Sequence, residues 1–396
     1  MTFTPNDPNF SIMRANVDVG VRYDCDCSSG CDCIPPDDLL DYQYSDAYLT
    51  KPGSNFKSAA SQNQMDIHWP RTPGRGVTNI VVTIHGGGFV AGDKREALHV
   101  ANCVDRFLEA KGGVQDYVLV NLNYRLTHET NNNNAVTFWD LMDDVTTAID
   151  EAIRLMKLNG YTPGVMAIGG ISGGGLASMF YANTRGKVVR GTEPEPLAPA
   201  PIAFVFDICG PTNVNTLPTQ GTIGAPDPAA VLGNLARNAT LLDDYLDKVY
   251  TWPTGSNGAN PGGANGNDTI ANDITIIPNP TTLQKQKAAG SPLTYVDENS
   301  PPTIIWNGIN DTLVPRGQAQ AMHKILTDLG VESEIFLPRI TVVPIVNIAH
   351  SSGPLSGSDP EHVAYMAALN RWINEYFPPH ITKGEHNNGT ESCDKP

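Results

Sequence analysis

Val81-Val82-Thr83-Ile84-His85-Gly86-Gly87-Gly88-Phe89-Val90 decides the fold of this chain. An apolar run rich in β-branched residues stops abruptly at a histidine and three glycines. A buried strand of that kind delivers a loop whose backbone can come close to a ligand. Further along, Gly170-Ile171-Ser172-Gly173-Gly174 follows the apolar run Val165 to Ile168 and precedes the helix-compatible stretch Leu176 to Ala182. The second stretch therefore reads as strand, tight turn and helix, with a serine at the tip.

A G-x-S-x-G in that context is a nucleophile elbow, and an H-G-G-G after an upstream strand supplies its oxyanion hole. With both motifs in this order, the chain resembles an α/β-hydrolase, a serine carboxylesterase of the hormone-sensitive-lipase-like type. By that resemblance the oxyanion donors are the N–H groups of Gly87 and Gly88, joined by that of Gly173 just after the nucleophile Ser172. Such donors stabilise the tetrahedral oxyanion, and losing one typically costs about 3–4 kcal/mol of barrier. The elbow serine occupies a strained backbone conformation, tolerated where its neighbours are small, as Gly170 and Gly174 are. His85 is read as holding the loop, not as a base. Relatives often carry alanine after the serine, where this chain has Gly173.

The resemblance extends to Val118–Leu126, an apolar strand ending in N-Y-R-L, and to Met65–Pro70, an alternating strand preceding the H-G-G-G strand. No catalytic role is read into Tyr124 or Arg125. In this fold the triad order is Ser, then Asp or Glu, then His, with the last two on loops after later strands. Thr303–Gly308 reads as such a strand, and Asp311 follows it directly in N-G-x-x-D-x-x-V-P. Asp297 and Glu298 precede that strand. The next strand begins at Glu334–Leu337, and a second apolar stretch, Val342 to Ile348, leads to His350 ahead of a closing helix over Glu361–Tyr376. His323 and His362 lie within helical patterns, and His380 and His386 lie in a polar tail. The expected triad is Ser172 as nucleophile, His350 as general base and then acid, and Asp311 orienting the imidazole.

Composition bounds the partners. The chain has 396 residues, 40% of them apolar and 17% charged, which suits a large buried core. A formal charge of −16 argues against nucleic acid or an anionic membrane surface as partner. The expected partner is a small-molecule ester, and the expected triad calls for no cofactor. No apolar run is long enough to cross a bilayer. The N-terminus, M-T-F-T-P-N-D-P-N-F-S, has neither a basic start nor an apolar core, so the default expectation is a cytoplasmic protein, a secreted form with a trimmed signal being the alternative.

Strands alternating with helical patterns predict a mostly parallel, doubly wound sheet with helices on both faces and an inserted cap. The expected organisation is an N-terminal extension over 1–43, a hydrolase core over 44–209 and 300–378, a cap or lid over 210–299, and a polar tail over 379–396. Within the cap, Thr251–Thr282 is rich in Gly, Asn and Pro and reads as a long loop, while Ala239–Val249 reads as a short helix. Over Phe138–Met156 the spacing is helical, and Asp140, Asp143, Asp144 and Asp150 read as a solvated face. Cys25, Cys27, Cys31 and Cys33 form an unusual C-x-C-x3-C-x-C cluster. An exposed reduced loop or two disulfides are the first readings, and a thiolate site for a soft metal is the alternative.

Three functional classes follow from the motifs. The first is hydrolysis of short- to medium-chain or aryl carboxylic esters through an acyl-serine. The second is amide hydrolysis on the same triad, as in arylformamidases and amidases. The third is a silent hydrolase-fold binding protein, which the presence of serine, histidine and oxyanion glycines disfavours.

Overall fold

The computed structural model describes residues 37–47, 62–71, 77–89, 92–95, 116–126, 136–185, 198–217, 288–309, 311, 313–338 and 360–377. Eight strands form one sheet: β1 (Leu39–Gln43), β2 (Gln64–His68), β3 (Val77–Ile84), β4 (Val118–Leu122), β5 (Thr162–Ile171), β6 (Ile202–Ile208), β7 (Thr303–Trp306) and β8 (Ser333–Phe336). Their order across the sheet is β1-β2-β4-β3-β5-β6-β7-β8. β1, β2 and β4 pair antiparallel at one edge, and every pair from β4–β3 to β7–β8 is parallel. This is the mostly parallel, doubly wound sheet that the alternation of patterns predicts. β1 belongs to it although it lies ahead of residue 44, where the sequence reading begins the core.

The near-continuous apolar runs reflect burial of the sheet on both faces. Along β3, Ile80, Val82 and Ile84 join one core cluster while Val81 joins another; on β6, Val205 faces the first while Phe204 and Phe206 face the second. Helices α1 (Phe138–Leu158) and α2 (Gly173–Arg185) contribute to the first cluster, as does α3 (Gly317–Asp328). α4 (Pro360–Tyr376) covers the second with Tyr365, Leu369 and Trp372. No helix among the described residues is long and apolar enough to cross a membrane.

Helix α1 starts where its sequence says it should. Thr137 caps it, and Asp140 reaches back to the Thr137 amide in a capping box. Asp143 and Asp150 are exposed, as a solvated face requires, but Asp144 is not. It is 2% exposed and paired with Arg125, whose Nε lies 2.8 Å from Oδ2 and whose backbone N–H donates to the same oxygen at 2.9 Å. The flank of α1 carrying Asp144 packs toward the end of β4, and only a carboxylate with a cation opposite can be buried there. The solvated reading of Asp144 is thus corrected: it is half of a buried ion pair.

The interval 218–287, including the expected Ala239–Val249 helix and the Gly/Asn/Pro-rich loop, lies outside the described residues, as do Cys25, Cys27, Cys31 and Cys33. The described residues on either side of that interval pack on the core. Thr212 and Asn213 donate their backbone N–H groups to Oε1 of Gln318 on α3, at 2.9 and 2.7 Å. The ring of Tyr295 stands edge-on to Phe180 of α2.

Candidate active site

In a parallel sheet the loops after successive strands emerge at one edge, the strands' carboxyl end. Here the loops after β3, β5 and β7 bring His85–Phe89, Ser172 and Asp311 to that edge. Gly86 packs directly against the Ser172 turn, since a β-carbon added to it would lie 3.3 Å from Cβ of Ser172 and 2.9 Å from the Ile171 carbonyl oxygen.

Ser172 joins β5 to α2 at φ +54°, a left-handed conformation that a serine adopts only where its surroundings enforce it. Two ties enforce it. The Ser172 N–H donates to the Ile208 carbonyl of β6 at 2.8 Å, and the Ser172 carbonyl accepts from Leu176 in the first turn of α2 at 3.0 Å. Close approach of the β3 backbone supplies the rest: a β-carbon at Gly174 would run into the carbonyls of Ile84 and His85, and one at Gly170 into that of Ile84. The glycines flanking the serine are therefore a requirement of packing. The serine itself is 9% exposed.

The glycine loop after β3 owes its shape to Tyr124. The imidazole of His85 stacks on the Tyr124 ring with centroids 4.3 Å apart and planes 12° from parallel. The Tyr124 hydroxyl donates toward the carbonyls of His85 and Gly86 at 3.0 and 3.2 Å, and His85 Nδ1 lies 2.8 Å from the Gly86 carbonyl. A carbonyl only accepts, so that His85 nitrogen carries the proton. His85 thus holds the loop, as the sequence reading expects. A trans peptide is planar, and fixing the Gly86 carbonyl against Tyr124 and His85 turns the Gly87 N–H the opposite way. Gly87, Gly88 and Phe89 then turn the loop with φ of +92°, +58° and +68°. Phe89 closes over the elbow, its ring near Gly173 and edge-on to Tyr124.

Asp311 is 5% exposed and held by its own loop. Its Oδ1 accepts from the Leu313 and Val314 backbones at 2.9 and 3.0 Å, and its Oδ2 lies 3.5 Å from the Asn307 amide. Asn307 in turn donates to the Val314 carbonyl at 3.1 Å, so the N-G-x-x-D-x-x-V-P pattern is a self-bonded loop. Asp297 sits before β7, in a turn where it caps Asn299, and away from the edge that carries Ser172. His350 lies outside the described residues; β8 is the strand after which the chain approaches it. His323 is on α3 and bonds Ser333 at 3.0 Å, a structural placement.

Two groups under the site are not evident in the motifs. Cys209, at φ +48° after β6, is fully buried, and burial pushes its thiol well above the ordinary range, with the charges of Asp311 and Asp207 adding to the effect. The Ser172 backbone opposes that shift. Cys209 follows β6, the strand between those that lead to Ser172 and Asp311, and its backbone N–H donates to the Trp306 carbonyl at 2.7 Å. Asp207, also fully buried, is held up to about 8 by burial, against which the backbone N–H groups of Gly210 and Ile208 act. No group of three or more His, Cys, Asp or Glu suited to a metal occurs among the described residues.

Solved structures share this fold. Esterase B from Lactobacillus rhamnosis HN001 matches at a TM-score of 0.52 and 16% identity, over 93% of this chain and 92% of that one. The same esterase inhibited with a tributyrin phosphonate matches at 0.51 and 15%, over 93% of each chain. A truncated carbohydrate esterase from gut microbiota matches at 0.50 and 15%, over 86% of this chain and 96% of that one. No curated protein matches. The BD-FAE family model matches residues 65–247 and 259–326, a span that takes in His85–Phe89, Ser172 and Asp311. With more than half of its length matched, this α/β-hydrolase chain belongs to the BD-FAE family.

Proposed function

We propose that the chain is a serine carboxylesterase that hydrolyses short- to medium-chain or aryl esters through an acyl-enzyme on Ser172. The observation that carries the reading is the strained Ser172, at φ +54°, set against the glycine loop that Tyr124 and His85 hold. A strained serine at a strand-to-helix turn, beside backbone donors, is the arrangement that attacks a carbonyl and stabilises the resulting oxyanion. In this reading His350 removes the hydroxyl proton as Ser172 attacks, then delivers it to the departing alkoxide. Asp311 keeps the imidazole oriented, and water repeats the cycle on the acyl-serine. The N–H groups of Gly87, Gly88 and Gly173 receive the developing charge. That the fold is shared with esterases, one of them inhibited by a tributyrin phosphonate, supports the same chemistry here.

The preference for soluble substrates rests on the surface. The large exposed hydrophobics among the described residues, Leu40, Val77, Leu158, Leu329 and Val363, sit on separate elements and form no continuous apolar collar. An enzyme working at an oil–water interface needs such a patch. The net charge of −16 also opposes adsorption to anionic interfaces.

The test is covalent labelling with a fluorophosphonate followed by peptide mass spectrometry, beside turnover of p-nitrophenyl esters from acetate to palmitate and of matched anilides. The expected result is a single label on Ser172, lost in Ser172→Ala, with turnover declining beyond medium acyl lengths. A label on another serine overturns the nucleophile; faster anilide than ester turnover turns the reading to an amidase.

A further inference from the structure

Lys94 is a lysine buried in an unusual place. It lies beyond the glycines of the oxyanion loop, its side chain is 2% exposed, and its Nζ sits 2.6 Å from Asp41 Oδ1 and 2.8 Å from Asp66 Oδ1. Asp66 belongs to β2 and Asp41 to β1, the antiparallel edge of the sheet. A register shift between Leu39 and Tyr42 and a left-handed φ of +55° at Asp41 mark a bulge, the device by which a strand re-aims one side chain. The Asp41 backbone N–H donates to Asp66 Oδ1 at 2.7 Å, so the bulge itself is tied to the carboxylate that the ammonium also meets. Lys94 holds the Asp41 carboxyl below its ordinary range.

The backbone of Lys94 is fixed as well. Its N–H donates to Asn123 Oδ1 at 2.6 Å, and Asn123 directly precedes Tyr124. Two residues before Lys94, Gly92 at φ +109° packs so tightly on the start of the loop that a β-carbon there would overlap the His85 imidazole and the Gly86 carbonyl. The far end of the loop thus rests on the very peptide whose other side carries the Gly87 N–H. Lys94 and that donor are thus joined by close packing through Gly92, His85 and Gly86.

From this chain of contacts we propose that Lys94, clamped between Asp41 and Asp66, is a positioning residue that sets the aim of the oxyanion donors from the sheet edge. The proposal rests on the esterase reading of the same site. Such a clamp suits its task because a buried ammonium without its carboxylates is strongly disfavoured, which leaves the loop one position instead of several. Misplacement of catalytic groups by about 1 Å from a distant mutation can cost about 100-fold in rate.

The test compares full-length wild type with Lys94→Met, Asp66→Asn and, as a control, Arg95→Ala. Arg95 neighbours Lys94 and also meets Asp41, but it is exposed and an exposed pair contributes little. Initial rates on p-nitrophenyl butyrate, normalised to sites titrated with fluorophosphonate, are measured beside the Ki of a trifluoromethyl ketone. Lys94→Met is expected to lower kcat by about 10- to 100-fold with KM within about twofold, and to raise the ketone Ki by the same factor, because both report the oxyanion. Asp66→Asn moves in the same direction, and it carries the test if Lys94→Met does not fold. Arg95→Ala stays within about twofold. Hydrogen exchange of the peptide spanning 85–95 is measured in parallel, and it should quicken in the clamp variants while the remaining sheet is unchanged. Clamp variants with normal kcat per titrated site and a lowered Tm alone overturn the proposal. A wild type with neither turnover nor labelling overturns the esterase reading instead, and unchanged exchange over 85–95 would then overturn the clamp on its own terms.

Discussion

The hydroxyl of Tyr124 donates to the carbonyls of both His85 and Gly86, while its ring lies flat on the His85 imidazole. One side chain on the loop after β4 therefore does two separable things to the loop after β3. Its ring fixes where the histidine lies, and its hydroxyl fixes which way two peptide planes face. Tyr124→Phe keeps the stack and removes the hydroxyl. It should lower kcat about tenfold, short of the 10²–10³ lost with a direct oxyanion donor, and leave KM nearly unchanged. Tyr124→Ala removes both and should also cost about 3–5 kcal/mol of stability, as for other buried aromatic truncations. Kinetics on titrated sites and urea unfolding separate the two effects; a Tyr124→Phe enzyme with wild-type kcat would show that the stack alone shapes the loop.

Asp311 and Asp297 flank β7 at opposite ends, and the proposed triad needs the one that follows the strand. Asp311 leaves the carboxyl end of the strand with Oδ1 already bonded to two backbone amides, whereas Asp297 turns at the opposite end. Asp311→Asn is expected to keep its fold and lose roughly 10⁴-fold in kcat, by analogy with the triad template, and His350→Ala to be close to inactive. Asp297→Asn should remain near wild type. A damaging Asp297→Asn beside a mild Asp311→Asn would move the acid to the other end of the strand.

Gly173 is a glycine for a local reason. A β-carbon there would lie 3.0 Å from Cε1 of Phe89, so an alanine requires the ring to give by a few tenths of an ångström. Phe89 is at φ +68° in the proposed oxyanion loop, so displacement of its ring is expected to bear on the loop. Gly173→Ala should therefore lower kcat severalfold, and Phe89→Leu in the same chain should restore part of it. The coupling in that double-mutant cycle is expected at about 0.5–2 kcal/mol. Strictly additive effects would mean that the two residues do not meet.

The parts of the site legible in the sequence are those whose backbone demands a residue type. Ser172, Gly170 and Gly174 announce themselves because only small residues permit the elbow, and Asp311 because its loop bonds itself. The sheet reads from the apolar runs, since β3, β5 and β6 are buried on both faces. Lys94 and Asp144 do not announce themselves. Each is a charge whose burial depends on a partner distant in sequence, 28 and 53 residues away for the carboxylates of Lys94, and no periodicity reports such a partner. The role of Tyr124 is hidden for a similar reason: the Y-R-L pattern is visible, but the carbonyls its hydroxyl meets belong to another strand's loop.

Asp207 gives a prediction that titration of stability can check. It is fully buried at the end of β6, where its oxygens accept from the Gly210 N–H at 3.0 and 3.3 Å, and burial holds its carboxyl up to about 8 against an ordinary 3.8. The folded chain thus keeps a proton that the unfolded chain releases near pH 4. Below the unfolded value both states are protonated and the group has no pH-dependent effect. Between that value and about 8 only the folded state holds the proton, so stability falls as pH rises, by up to about 1.4 kcal/mol per unit from this group. Above about 8 the slope disappears. Asp207→Asn retains an acceptor for Gly210 and removes the titration, so the variant should gain on wild type steadily from pH 5 to pH 8. Urea unfolding of both proteins at several pH values across that range measures the difference. Parallel stability curves would mean that Asp207 is ionised in the folded protein at neutral pH, with its charge balanced by the Gly210 and Ile208 amides.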